Sequence, residues 1–437
     1  MGPHAPDAAI ASHLPRGYTC AARVGSHDYG YAIDGMMTSP VGRSGVDAGA
    51  APRQVSLRSV HVEQVLALLR SGPVSRAELG ARTALSRATI SSIVGDLIDQ
   101  GIAVNLPPGP DRRAGSGRPA QAVALSQHRV RSVGVDFRLD GASVALADPL
   151  QQVTGTISRT HRRGLNWQDR TTIALEAIRT LCARHGVDLA APQGIGVGVP
   201  GPVPLTPSGA PWRVMVHRLQ DELAAPVYVD NNLRLSALAE TIWSTRPGPA
   251  SLLYFHLGRG IGGGVVIDGR LYRGATGSAG ELGHVTVTEN GPRCHCGKHG
   301  CLEQHAALPA LLRRAGLTGD RRAVDQVAAD PRLAGPLHDA AGLCGRVVGD
   351  ALAALDICHV IVGGILAHVP DDTLTRFTDA ARERLLPSIR GALQIRPSTL
   401  QDAGALGGLA LVHHNTPVLQ GYLVRASTSY ESTQQSR

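Results

Sequence analysis

A chain of 437 residues is too long for one small domain, and its 43% hydrophobic and 18% charged residues are enough to build large cores. Aromatics are only 3%, against 52 glycines, so those cores must be Ala, Val and Leu packed close to glycine backbone. The formal charge of +8 suits nucleic acid and a solvated basic surface equally, the odd number of cysteines (7) argues against a secreted disulfide framework, and no long apolar run marks a membrane span.

Residues 1–52 carry Pro, Gly, Ser and His without an apolar period, and Arg16, Arg23, His27 and Asp28 interrupt every apolar stretch. Neither a folded unit nor a signal-peptide core is expected there; the segment reads as disordered, with Met36 and Met37 as alternative starts. From Leu57 the pattern changes. Val62, Val65, Leu66 and Leu69 recur at helical spacing until Ser71-Gly72-Pro73 stops the helix. Ser75-Arg76-Ala77-Glu78 is a capping box that opens a short second helix to about Thr83. Ser86 then caps a third helix whose buried stripe is Ile90, Ile93, Val94, Leu97 and Ile98, and Gly101 sits where a left-handed C-terminal residue is wanted.

Ile102–Val104 and Gln121–Leu125 read as two short strands around a loop with Arg112, Arg113 and Arg118. A helix-turn-helix followed by a basic hairpin is a winged helix, assigned here to residues 53–127. Ser86, Arg87, Thr89, Ser91 and Ser92, at the start of the recognition helix, and the wing arginines Arg112, Arg113 and Arg118 are the candidate contacts to a double-stranded DNA operator. The competing reading is a three-helix interaction module whose arginines are merely solvated.

Downstream, Val133–Asp136, Gly194–Val199 and Val227–Asp230 are apolar strand patterns, and Leu233–Trp243 has helical spacing, as an α/β sheet needs. The most specific feature follows: Glu281-Leu282-Gly283-His284, then Cys294-His295-Cys296-Gly297-Lys298-His299-Gly300-Cys301-Leu302-Glu303. Three thiolates and one imidazole are a common tetrahedral set for structural zinc, which points to Cys294, Cys296 and Cys301 with His284 arriving from an adjoining strand. His295 and His299 are near enough in sequence to leave the imidazole ligand open. Cys20, Cys182, Cys344 and Cys358 are isolated and read as bystanders.

These motifs resemble the ROK family of sugar kinases, open reading frames and repressors. So do Gly196-Val197-Gly198-Val199-Pro200-Gly201-Pro202, Val227-Tyr228-Val229-Asp230-Asn231, Gly260-Ile261-Gly262-Gly263-Gly264, Gly274–Gly280 and Val362-Gly363-Gly364. With the winged helix, the resemblance extends to the family's repressor branch. It implies an α/β, two-lobed, actin-like (ribonuclease-H-like) domain over residues 128–425, with lobes at about 128–245 and 246–400 and a C-terminal segment returning to the first; 426–437 would be a disordered tail. It also implies a homodimer or dimer of dimers, a cytoplasmic location, and sugar contacts at Asn231, Asn232, Glu281, His284 and Glu303.

Three departures from the family's kinases stand out. Their first phosphate loop, Asp-x-Gly-Gly-Thr, is matched here by Asp136-Phe137-Arg138-Leu139-Asp140; their catalytic Asp is matched by Asn232; and Arg259 stands where Thr is usual. An amide has no usable proton-accepting pKa, so neither kinase activity nor a need for ATP is expected. Asn232 and Arg234 together remove a negative charge and add a positive one, which predicts a cleft that prefers an anionic or phosphorylated sugar. The expected protein is a sugar-sensing transcriptional regulator of carbohydrate genes, most simply a repressor; the alternative is an ATP-dependent sugar kinase with an accessory DNA-binding arm.

Overall fold

The computed structural model describes residues 57–99, 101–107, 121–126, 132–148, 152–189, 192–204, 209–244, 249–318 and 324–415. The expectations for residues 1–52 and 426–437 and for Arg112, Arg113 and Arg118 lie outside the described residues.

The first unit is three helices, α1 (Leu57–Arg70), α2 (Arg76–Thr83) and α3 (Arg87–Asp99), with a small sheet of β1 (Val74–Ser75), β2 (Ala103–Asn105) and β3 (Ala122–Leu125). The Ser75 hydroxyl accepts from the Glu78 amide at 3.2 Å and the Ser86 hydroxyl from the Thr89 amide at 3.1 Å, so both helices start where their caps predict. Gly101 adopts φ +62 and turns the chain after α3. Val62, Val65, Leu66 and Leu69 interlock with Leu79, Ile90, Ile93, Val94 and Leu97; Ile98 packs only at the edge of this core. The wing strand lies one residue later than its apolar pattern suggests; Ile102, buried ahead of it, still accepts from the Ser126 amide at 3.0 Å. A third strand also appears: Val74 and Ser75 pair antiparallel with Val123 and Ala122. Two residues are too few to show a period.

The second unit holds two five-stranded sheets built to one plan. In the first, β4 (Ser132–Arg138), β5 (Gly141–Ala147) and β6 (Val153–Thr160) form an antiparallel meander. β7 (Gly194–Val199) and β8 (Val227–Asn231) then join parallel to β4, giving the order β6-β5-β4-β7-β8. Parallel neighbours need crossovers. Here these are α4 (Trp167–His185) and α5 (Arg213–Leu223), and α6 (Asn232–Trp243) follows β8 directly. In the second sheet, β9 (Leu252–Leu257), β10 (Ile261–Ile267) and β11 (Arg270–Tyr272) are the meander. The chain then forms α7 (Leu302–Ala306), α8 (Leu308–Arg314), α9 (Val324–Ala329) and α10 (Ala334–Leu355) before β12 (His359–Gly364). After α11 (Asp371–Glu383) comes β13 (Gln394–Pro397), and the order is β11-β10-β9-β12-β13. This repeated plan is that of a two-lobed actin-like domain.

The last helix, α12 (Ala403–His414), returns to the first sheet, packing on β4, β5, β7 and α6, while α6 also packs on β9 and β10. Glycine makes the return possible: a Cβ on Gly196 would lie 1.9 Å from the Gly408 carbonyl oxygen, and one on Gly134 equally close to that of Ala405. The fully buried Glu240 of α6 ties the two sheets together, accepting from the Ser398 hydroxyl and, at 3.2 Å, from Arg396. Among the described residues no helix is long and apolar enough to cross a membrane.

Candidate metal centre and adjoining cleft

The loop between β11 and α7 folds back on itself through two glycines. Gly297 (φ +93) turns the chain directly after Cys296, and its amide donates to the Cys294 carbonyl at 3.0 Å. Gly300 (φ +67) presses on the Thr288 carbonyl so closely that a Cβ would sit 1.8 Å from its oxygen. The loop thereby delivers Cys294, Cys296 and Cys301 to one point, and their sulfurs with a His284 nitrogen all lie within 4.8 Å of one another.

Cys294 Sγ is 3.5 Å from His284 Nδ1, and Cys296 Sγ is 3.6 Å from Cys301 Sγ. A tetrahedral zinc ion, with Zn–S about 2.3 Å and Zn–N about 2.0 Å, requires ligand-to-ligand edges of roughly 3.5–3.8 Å. The donor set therefore fits zinc. Hydrogen bonding from the Lys298 amide lowers the Cys296 thiol below its ordinary range, whereas burial pushes Cys301 up to about 12, so a dication is what would hold Cys301 as a thiolate at neutral pH. Gln304 supports the cluster by donating to Cys294 Sγ at 3.8 Å.

The geometry also selects among the imidazoles. His299 Nδ1 lies 3.2 Å from the Gly291 carbonyl, and His295 stands edge-on to the His284 ring at 5.0 Å with its Nδ1 3.3 Å from Glu303 Oε1. His284 does not come from a strand, as the apolar pattern suggests, but from one turn of 3-10 helix, Leu282–His284. Within that turn Gly283 lies against the Ile261 carbonyl so tightly that a Cβ would be 2.2 Å from its oxygen, so only glycine fits there.

Beside the metal centre lies the candidate cleft, gathered from three elements. Glu303 of α7 accepts from the Ile261 amide at 3.1 Å through Oε2 and faces His295 through Oε1. Glu281 is half-buried; desolvation raises its pKa, partly offset by His284 and Arg234, while Glu303 adds to the rise. Asn231 and Asn232 stand at the N-terminus of α6. Asn231 caps that helix: its Oδ1 accepts from the Leu233 and Arg234 amides at 2.9 and 3.1 Å, and its Nδ2 donates to the Gly201 carbonyl at 2.9 Å. Most of its hydrogen-bonding capacity is thus already used. Asn232 lies against Asp136, since a Cβ on Gly198 would touch both. Burial pushes the Asp136 carboxyl up to about 6, offset in part by Arg138 and the Asn232 amide.

One expectation requires correction. Arg234 does not offer a free positive charge to the cleft. It is 1% exposed, its Nε is 2.8 Å from Asp230 Oδ1, and its Nη1 donates to the Gly277 carbonyl at 2.7 Å. Arg273 closes the cluster from the other side, 2.7 Å from Asp230 Oδ2. Sequence pattern gives no sign that β8, α6 and the segment after β11 meet here.

On the winged helix, Ser86, Arg87, Ser91 and Ser92 are exposed and Thr89 is half-buried. The Ser86 hydroxyl is shared with Thr89 Oγ1 at 2.8 Å, and Ser92 accepts from Arg58, which also pairs with Asp96. Arg87 and Ser91 make no side-chain contact of this kind among the described residues, and Arg82 is likewise exposed.

A winged helix joined to a two-lobed actin-like domain with a Cys/His cluster defines the class of protein. The ROK family model matches residues 144–415 and a MarR family model residues 57–114. The chain belongs to the ROK family, with a MarR-type helix-turn-helix ahead of the ROK domain. It is 31% identical over 257 residues to the xylose repressor of Bacillus spizizenii, matching 56% of this chain and 65% of that protein. It is 25% identical over 385 residues to the DNA-binding transcriptional dual regulator NagC of Escherichia coli, matching 81% of this chain and 91% of that one. Among solved structures, a ROK family transcriptional regulator homologous to the E. coli Mlc protein superposes with a TM-score of 0.64 at 21% identity, over 84% of this chain and 97% of that one. At that identity the likeness is one of fold.

Two outcomes follow. Cys301→Ser should release the metal, read by elemental analysis, and destabilise the second unit; a loss of about 3 kcal/mol would lower Tm by roughly 5–10 °C. Full metal content with an unchanged Tm contradicts the ligand set. Arg234→Met should cost about 3–5 kcal/mol in a denaturant melt, because it strips a buried carboxylate of one of its two partners. Adding Asp230→Asn should recover part of that loss; a neutral single change would show that the pair does not hold α6.

Proposed function

We propose that this chain is a transcriptional regulator in which the winged helix, residues 53–127, binds a DNA operator and the ROK domain, residues 128–425, senses a sugar or sugar derivative without phosphorylating it. Asn232 is the observation that carries this reading. It occupies the N-terminus of α6 against Asp136, where the family's kinases place a catalytic aspartate, and an amide cannot take the proton of an attacking hydroxyl. The segment matching their first phosphate loop supports the same reading. Asp136–Arg138 is the end of a strand, Leu139 and Asp140 form the turn, and Phe137 is fully buried 5.5 Å from the Trp167 ring. Backbone there is committed to pairing with β5 rather than to phosphate.

Sugar hydroxyls would be received by Glu281, Glu303 and His284, with Asn232 and the remaining donor of Asn231 on the facing helix; carboxylates suit paired hydroxyl donors. Zinc held by His284, Cys294, Cys296 and Cys301 would supply a fixed frame for His284 and Glu303 and no reaction chemistry. Ligand contacts on both α7 and α6 would favour one arrangement of the lobes. Such a ligand acts only through its difference in affinity between the operator-binding and released forms. A cytoplasmic homodimer would present two α3 helices, with Ser86, Arg87, Thr89, Ser91, Ser92 and the wing arginines at the duplex, to half-sites about one helical turn or a multiple apart.

Capture and sequencing of bound genomic fragments identifies the operator. On that operator, Arg87→Ala and Arg118→Ala should each weaken binding and reduce the salt slope of log K by about 1. Unchanged affinity and slope in both variants would remove α3 and the wing from the duplex.

A further inference from the structure

Helix α7 has two sides. Glu303 turns toward the Ile261 amide, while its neighbours Gln304 and His305 line a separate, half-open pocket of about 390 Å³ bordered by α8 and α10. That volume is within the range that holds small metabolites, about 300–1,000 Å³. The cavity has an apolar floor, to which Ala340 and Leu343 of α10 contribute, and a basic rim of Arg313, Arg314 and Arg346. Asp339, Leu343 and Arg346 follow one another at helical spacing, so α10 presents them on one face.

The charges do not balance. Arg314 is paired with Asp339 at 2.6 Å, but Arg313 and Arg346 have no ion-pair partner among the described residues. Three guanidinium groups against one carboxylate leave two positive charges around the mouth. Within the lining, His305 Nε2 is buried beside Gly291 without a hydrogen-bond partner, an arrangement that is costly unless a ligand or water supplies one. Guanidinium groups bind phosphate oxygens through paired donors and suit a dianion better than a single carboxylate.

We infer that this cavity is a second ligand site, for a phosphomonoester, with the phosphate between Arg313 and Arg346 and the organic body on the Leu343 floor. The inference goes beyond the sugar cleft and does not depend on it. It gives the protein a means of reading a phosphorylated compound that the cleft, whose Arg234 is spent on Asp230, does not provide. The two sites share α7, and Gln304 lines the cavity while donating to Cys294 Sγ, so occupancy on one side of the helix is mechanically joined to the metal loop and Glu303 on the other.

Calorimetric titration of the full-length, zinc-loaded protein tests this with three probes: inorganic phosphate, a hexose 6-phosphate and the neutral hexose. Inorganic phosphate should bind saturably and lose at least tenfold in affinity in the Arg313→Ala/Arg346→Ala variant, while Glu281→Gln leaves its binding unchanged; with Glu281→Gln in place to weaken the sugar cleft, the hexose 6-phosphate should show the same dependence on the two arginines. Tighter binding of the ester than of inorganic phosphate identifies the organic compound as ligand; equal binding identifies free phosphate. Both arginines are exposed, and unchanged zinc content and Tm verify that the variant is folded. Leu343→Trp, which fills the floor and keeps the arginines, should weaken the ester more than inorganic phosphate. The proposal is overturned if the arginine variant binds phosphate as the parent does, if Glu281→Gln abolishes that binding, or if neither probe binds.

Discussion

Asp230 is 1% exposed and holds two guanidinium groups, one from the helix that follows it and one from the segment after β11. A buried carboxylate in that position is tolerable only while both partners remain, and the partners come from different parts of the chain. Arg234 extends the constraint by reaching the Val203 and Gly277 carbonyls. The start of α6 is therefore fixed relative to the loop after β7 and the glycine-rich loop before Glu281. Asn231 and Asn232 stand at this anchored end, and the other end of α6 is pinned by Glu240 with Arg396 and Ser398.

The metal loop provides the opposite wall by different means. Its three cysteines and His284 enclose one point, and the chain leaving Cys301 enters α7 at once, so Glu303 inherits its position from the cluster. The candidate cleft thus has an ion-paired helix on one side and the Cys/His turn on the other. Chemistry on a sugar hydroxyl would further require a proton acceptor at the head of α6. Asn232 supplies shape and hydrogen bonds there, and Asp136, buried behind it and raised to about 6, has an amide neighbour in place of a second carboxylate.

Much of this was legible in one dimension because it is local. Helix caps at Ser75 and Ser86, the apolar stripe of α3, and Cys-x-Cys-Gly-x-x-Gly-Cys are encoded within a few residues and were recovered where expected. What escaped depends on distant segments. The two-residue β1 exists only because β3 lies beside it, the 3-10 turn at His284 packs Gly283 against the distant Ile261 carbonyl, and Arg234 reads as an added cleft charge until Asp230 and Arg273 are seen to enclose it. The basic pocket behind α7 is likewise assembled from three helices, and its arginines belong to no motif that the sequence displays.

The central claim is that the ROK domain reports on its ligand instead of transforming it. The most direct measurement holds the protein on labelled operator DNA with Mg-ATP, adds a panel of sugars, and follows operator occupancy and ADP in the same sample. A sugar that shifts occupancy at least tenfold while ADP stays at the no-sugar background is the predicted result. Sugar-dependent ADP release matched by sugar phosphate, with occupancy unmoved, would contradict it.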